Sequence, residues 1–215
     1  MSRVVAGAAG GTPLVSVPGS LTRPTTDRVK EALFSRLDAF DVVASARVLD
    51  LYAGSGSLGV ESASRGADSV DLVEFDAKAS AVCQRNADMV NTVRGRKVVS
   101  VHRSKVESFM DRTAAGALWD LVFLDPPYPL DQPALTAALA KLTPHLAAGA
   151  VVVVERSART PEPAWPAGMV RFAEKKYGET RLWFAEPGPE TEPQIADAGA
   201  AGTEPTQSSP ATPER

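Results

Sequence analysis

Asp125-Pro126-Pro127-Tyr128 directly follows the apolar run Leu121-Val122-Phe123-Leu124. A carboxylate, two prolines and an aromatic ring in that order suit one task. Prolines fix the backbone and present carbonyls while lacking an N–H of their own. The exocyclic amino group of a nucleic-acid base is planar, with its lone pair delocalised into the ring. To attack a methyl group it must be drawn toward tetrahedral geometry. Asp125 and the Pro126 carbonyl can accept its two N–H groups, and Tyr128 can stack on the base. That chemistry needs neither a metal nor a histidine base.

A second motif supplies a place for the methyl donor. In Asp50-Leu51-Tyr52-Ala53-Gly54-Ser55-Gly56-Ser57-Leu58-Gly59, the three glycines match G-x-G-x-x-G, and Glu74 falls further along the chain, where an acid binds ribose hydroxyls. NAD, FAD and S-adenosylmethionine all use this turn. Asp50 favours the last of them. A dinucleotide would set its pyrophosphate against the helix N-terminus, where a nearby carboxylate repels it. S-adenosylmethionine has no phosphate and brings an ammonium group that the acid attracts.

These residues can meet only if the chain alternates strand and helix. Apolar runs mark strands at Arg47–Tyr52, Ser69–Glu74, Lys97–His102, Trp119–Asp125 and Ala150–Glu155. Helical patterns lie between them at Ser57–Arg65, Ala77–Val90, Lys105–Thr113 and Gln132–Leu146. Near-continuous apolar strands alternating with helices imply a parallel sheet covered on both faces. Met169–Lys176 and Thr180–Glu186, joined by Tyr177-Gly178-Glu179, read as an antiparallel hairpin. Before all this, Arg3–Ala6 and Pro13–Val17 flank a Gly-rich stretch and predict a small β-hairpin. Thr26 can cap a helix carrying Val29, Leu33 and Leu37 on one face.

The net charge of −3 is unevenly placed. Residues 187–215 hold five acids against Arg215, leaving +1 for the rest, and residues 1–36 carry +3. Arg94, Arg96, Lys97, Arg103 and Lys105 can add to that local basic patch, which could steer a polyanion. The tail has one large aliphatic residue, Ile195, and too little apolar surface to offset its ordering entropy, so disorder is expected there. One cysteine, Cys83, and two separated histidines argue against a disulfide or a zinc cluster and fit a cytoplasmic protein. No stretch is long and apolar enough to span a membrane. Asn86 could be a helix-surface residue or a second-layer contact; its type does not decide between them.

The D-P-P-Y signature resembles that of amino methyltransferases acting on adenine N6, cytosine N4 or guanine N2. The wider pattern resembles the RsmD family, bacterial 16S ribosomal RNA guanine-N2 methyltransferases. The shared blocks are Arg3–Gly7, Thr22–Phe34, Leu49–Gly59, Ser64–Ala67, Glu74, Asn86, Asp125–Tyr128 and Lys176–Gly178. The resemblance implies a Rossmann-like class I methyltransferase, an α/β fold with a mostly parallel seven-stranded sheet. It implies residues 1–40 as a substrate-recognition extension, 41–186 as the S-adenosylmethionine-dependent domain and 187–215 as an acidic tail. Asp125, Pro126, Pro127 and Tyr128 would carry catalysis. Asp50, Tyr52, Ala53, Gly54, Ser55, Gly56, Glu74, Phe75, Ser104, Lys105 and Asp125 would hold the cofactor. Arg3, Arg23, Thr25, Thr26, Arg28 and Tyr128 would contact the substrate, 16S ribosomal RNA within a small-subunit particle, and the enzyme would act as a monomer. Many methyltransferases have Asp where this chain has Ser104, so adenine contact is expected from the backbone around Ser104-Lys105. A DNA amino methyltransferase shares D-P-P-Y and remains the rival reading. An NAD-linked oxidoreductase would explain the glycines but neither Asp50 nor D-P-P-Y.

Overall fold

The computed structural model describes residues 2–18, 27–127 and 130–189. Arg23, Thr25, Thr26, Tyr128 and the chain beyond Pro189 lie outside the described residues.

In chain order the elements are α1 (Asp27–Ala39), β1 (Arg47–Leu51), α2 (Ser57–Ser64), β2 (Ser69–Glu74), α3 (Ala77–Arg94), β3 (Val99–Arg103), α4 (Val106–Arg112), β4 (Trp119–Leu124), α5 (Gln132–Leu142), a short 3-10 turn (Thr143–His145), β5 (Leu146–Ser157), β6 (Met169–Tyr177) and β7 (Thr180–Pro187). The described residues form a seven-stranded sheet of order β3-β2-β1-β4-β5-β7-β6. β7 runs antiparallel to both of its neighbours. Successive residues of one strand point to opposite faces, which is why the central strands are apolar throughout. In β4, Leu121 and Phe123 join Leu33, Phe34, Val60 and Cys83 on one face. Val122 and Leu124 join Val106, Met110, Leu135 and Leu139 on the other.

Local signals set the helix ends. Asp76 caps α3, accepting from the amides of Lys78 and Ala79. α3 passes the expected end at Val90 and stops at Arg94, where Gly95 turns left-handed. α5 stops at Leu142, short of the expected Leu146, because Pro144 cannot continue the ladder. At the other end of the chain, β7 reaches Pro187, and the Gly188 amide donates to the Gly168 carbonyl at 3.0 Å. The fold therefore runs past Glu186.

The expected N-terminal hairpin is replaced by a docked loop. Its two runs share a single antiparallel bridge, Arg3 to Pro13. Val4 N–H to the Thr12 carbonyl and Leu14 N–H to the Ser2 carbonyl flank that bridge, and beyond them the loop's amides turn to α2. Val5 and Ala6 donate to the Glu61 carboxylate at 2.7 and 3.0 Å, and Ala9 donates to Ser64 Oγ at 2.9 Å. A Cβ on Gly7 would sit 2.0 Å from the Ser64 carbonyl oxygen, so the loop lies against the last turn of α2 as only glycine permits. Val4, Ala9 and Leu14 are buried in the core beside it.

Candidate active site

Strand order reverses at β1, whose neighbours are β2 and β4. Ligands of such sheets bind at this crevice, beyond the carboxyl ends of the strands. Asp50 lies near the end of β1, Glu74 ends β2, and Asp125 follows the last residue of β4. Three acids predicted from the sequence are thus brought to one edge by the register, in which Asp50 sits level with Leu72 and Phe123.

The chain leaves β1 through Tyr52 at φ 66°. An L residue in that left-handed region costs about 1–2 kcal/mol, so the surrounding contacts must over-determine it. They include Ala53 N–H to the Val73 carbonyl at 2.9 Å and Gly54 N–H to Glu74 Oε2 at 2.8 Å. The turn then enters α2, whose Gly59 amide donates to Asp50 Oδ2 at 3.1 Å. A Cβ on Gly59 would lie 2.2 Å from Leu72 Cδ2, so the third glycine sets how closely α2 approaches β2.

Glu74 has a task that its position in the sequence does not reveal. Its two oxygens accept from Gly54 N–H and from Asp76 N–H, the second at 2.6 Å. It holds the glycine turn while keeping lone pairs free for ribose hydroxyls. Phe75 beside it is 61% exposed, with Lys105 Nζ 5.4 Å from its ring centre. The Ser104 hydroxyl donates to the Lys105 carbonyl and accepts from Arg112, while the Ser104 amide donates to the Glu74 carbonyl. Among the described residues, no heavy atom other than those of its chain neighbours lies within 4 Å of a Cβ built on Gly54, so the turn faces open space. Open glycine turn, terminal acid and exposed ring fit an adenosine-bearing cofactor with no phosphate.

Burial dominates the electrostatics. Asp50 is buried and its carboxyl is pushed up to about 7, the Glu74 charge adding to burial and the Gly59 N–H opposing it. Asp125 is pushed well above the usual carboxylate range by burial first, then by Glu155 and Asp50, with Arg156 opposing. Burial also lifts the Tyr52 phenol to about 12. The Tyr52 hydroxyl has no hydrogen-bond partner among the described residues. The loop after Asp125 is pinned twice: Leu130 N–H donates to the Pro127 carbonyl, and Arg156 Nη2 donates to the Leu130 carbonyl, both at 2.9 Å.

The basic patch shrinks. Lys30, counted among the local cations, is fully buried. Its Nζ donates to the Arg3 carbonyl at 2.6 Å and lies 3.8 Å from Glu61. Burial holds its pKa below the ordinary lysine value, against the pull of Glu61 and Asp27. Arg94 bonds the Ala63 carbonyl, and Arg96 pairs with Asp68 at 2.8 Å. Arg3 and Arg28 stay exposed.

Sequence reasoning passed over Glu61, Glu155 and Arg156, and left Asn86 undecided. Glu61 follows the glycine turn within α2 and reads as a surface acid until the loop is docked. Asn86 is buried in α3. Its amide donates to the carbonyls of Ser55 and Val15 at 2.8 and 3.0 Å, and its oxygen accepts from Val15 N–H at 2.9 Å. One side chain therefore ties the glycine turn to the N-terminal loop. Glu155 stood at the end of a predicted strand without a motif to mark it.

The chain is similar to known proteins. The sequence profile described as "conserved hypothetical protein 95" matches residues 2–186. Ribosomal RNA small subunit methyltransferase D of Escherichia coli (strain K12) is 34% identical over 176 residues, 81% of this chain and 84% of that protein. The YlbH protein of Bacillus subtilis (strain 168), provisionally named an rRNA methyltransferase, is 39% identical over 128 residues; the match spans 59% of this chain and 66% of that protein, just under two thirds. Among solved structures, the protein yhhF of Escherichia coli, provisionally named a methyltransferase, superposes with a TM-score of 0.72 at 31% identity. It covers 86% of this chain and 97% of its own.

Proposed function

The chain belongs to the conserved hypothetical protein 95 family, which is that of the small-subunit RNA methyltransferase D proteins, and from that premise we propose that it methylates the exocyclic N2 amine of a guanine in 16S ribosomal RNA. The observation that carries the reading is Asp125-Pro126-Pro127, placed at the carboxyl end of β4 beside the glycine turn, in a chain matched to the family from residue 2 to 186. S-adenosylmethionine supplies an electrophilic methyl group on a sulfonium when bound. Asp50 would hold its ammonium, Glu74 its ribose and Phe75 its adenine.

The remaining work belongs to the protein. Asp125 and the Pro126 carbonyl accept the two N–H groups of the target amine, so that its lone pair points at the methyl carbon. Methylation of the amine by the group that the bound cofactor would supply would leave positive charge on the nitrogen. One N–H proton then passes to the Asp125 carboxylate and on to water. Burial and the neighbouring acids push the carboxyl upward, which makes its ionised form a stronger proton acceptor than a free carboxylate. Tyr128 would stack on the base.

The test is methyl transfer from labelled S-adenosylmethionine to small-subunit particles lacking the modification, followed by nucleoside chromatography. N2-methylguanosine is expected. Methyl-adenosine, or label in DNA alone, would overturn the reading. Asp125→Ala should abolish transfer while leaving the affinity for S-adenosylhomocysteine within a few-fold, since its bond matters most in the transition state.

A further inference from the structure

β4 and β5 pair in parallel, with Phe123 level with Val153 and Leu124 level with Val154. The next residues along are therefore level with each other: Asp125, just past the end of β4, and Glu155, still within β5 and paired with Leu182 of β7. Phe123 and Val153 share one buried cluster, and so do Leu182 and Phe184, which face Glu155 and Val153 from β7. Side chains two residues apart on a strand share a face. Asp125 and Glu155 thus lie on the face carrying α1 to α3, on strands spaced about 4.8 Å apart. Asp50 joins them from β1, level with Phe123.

We propose that Glu155 reads the target base, accepting the guanine N1–H while Asp125 and the Pro126 carbonyl accept the two N2–H groups. This rests on the methyltransferase reading above and adds the reason for guanine. The Watson–Crick edge of guanine presents a ring donor beside its amine. Adenine and cytosine present a ring acceptor beside theirs, whose lone pair would face the Glu155 carboxylate. A carboxylate in this place therefore attracts one amino base and repels the other two.

The electrostatics agree with that assignment. The Glu155 charge is among the causes that push the Asp125 carboxyl upward, so the two acids repel each other before substrate arrives. A base edge with three N–H donors relieves that repulsion. An edge with an acceptor adds to it. Neighbouring Arg156 fixes the loop beyond Asp125 through the Leu130 carbonyl, which holds the first acid in place relative to the second.

The experiment exchanges guanine for 2-aminopurine, which keeps the N2 amine but carries an acceptor at N1. Wild-type enzyme first identifies the modified position by mapping. Particles are then reconstituted on 16S ribosomal RNA in which a splint-ligated oligonucleotide places either base there. Wild type should prefer guanine by about 100-fold or more in kcat/KM, as sites built to bond a donor reject analogues lacking it. Glu155→Gln can turn its amide N–H toward N1. It should lose about 10–100-fold on guanine, the worth of hydrogen bonds to a charged group. It should also narrow the preference to within about tenfold. Affinity for S-adenosylhomocysteine should stay within about threefold, since Glu155 faces the base.

An unchanged guanine rate, or equal losses on both bases, would overturn the assignment. Should Glu155→Gln fail to fold, Glu155→Asp keeps the charge and must retain the guanine preference at reduced rate; loss of that preference refutes the proposal. A wild-type enzyme that forms no N2-methylguanosine instead refutes the methyltransferase reading itself, and this inference with it.

Discussion

Asp50→Asn should make the free protein more stable and the cofactor bind less well. The structure gives the reason. Asp50 is buried, and its carboxyl rises from 3.8 to about 7. A shift of roughly 3 units corresponds to about 4 kcal/mol of differential interaction. The sign follows from proton binding. Below pH 4 the folded and unfolded chains both hold the proton, and Asp50 costs nothing. Between pH 4 and 7 the folded chain keeps a proton that the unfolded chain releases, so stability falls as pH rises. Above pH 7 the full cost is present.

Asparagine has nearly the same shape, and its carbonyl can still accept from Gly59 N–H. Its own N–H2 needs an acceptor in a buried place, which returns about 1–3 kcal/mol. The net gain is then about 1–3 kcal/mol, or a Tm rise of roughly 2–10 °C for a chain of this size. The gain should appear at pH 8 and turn into a loss of about 1–3 kcal/mol near pH 4, where Asp50 costs nothing and the asparagine N–H2 still lacks a partner. Calorimetry with S-adenosylhomocysteine should show about 10–100-fold weaker binding to the variant, because an ammonium loses a buried charged partner. Methylthioadenosine lacks the amino-acid arm and should bind both proteins alike. In wild type, affinity for S-adenosylhomocysteine should be flat above pH 7 and fall about tenfold per unit below it. A variant that is no more stable at pH 8 and still binds S-adenosylhomocysteine like wild type would refute both the electrostatic cost and the ammonium assignment.

Two further expectations concern the scaffold. Glu61→Gln leaves one acceptor oxygen where Val5 N–H, Ala6 N–H and Arg65 Nε all donate, and it takes from buried Lys30 its buried anion at 3.8 Å, leaving Asp27 at 3.9 Å; urea denaturation should show a loss of about 3–5 kcal/mol, and a loss under about 1 kcal/mol would mean the loop is held by its apolar contacts alone. Burial lifts the Cys83 thiol well above its ordinary range, so a thiol reagent at pH 8 should label it only as fast as the chain opens. Rapid labelling of the native protein would contradict its packing in α3.

The alternating elements were legible because apolar runs and helical periods report burial directly. Ser69–Glu74 was read with both ends in place, and the antiparallel β6–β7 pair followed from a turn between two strands. The N-terminal hairpin was misread for a physical reason. Val4 and Leu14 still bond across the two runs, but the Glu61 carboxylate takes the amides of Val5 and Ala6 and the Ser64 hydroxyl that of Ala9, so the pairing goes no further. The same docking explains Lys30. A lysine on a helix next to a basic stretch reads as surface charge, yet the Arg3 carbonyl and Glu61 give it a buried seat.

What the sequence determined by itself was the chemistry available: an acid ahead of prolines for an amine, and a glycine turn with Asp50 and Glu74 for a phosphate-free nucleoside. Those signals are local, because each residue's task is fixed by neighbours a few positions away. The tertiary structure alone decided that Glu74 also braces the turn, that Asn86 ties it to the N-terminal loop, and that Glu155 of β5 comes level with Asp125. Those facts depend on which strands are adjacent and in what register, and on which buried acceptor captures which amide. Partners twenty or more positions apart are chosen by the packing of the whole core, which no short stretch of sequence contains.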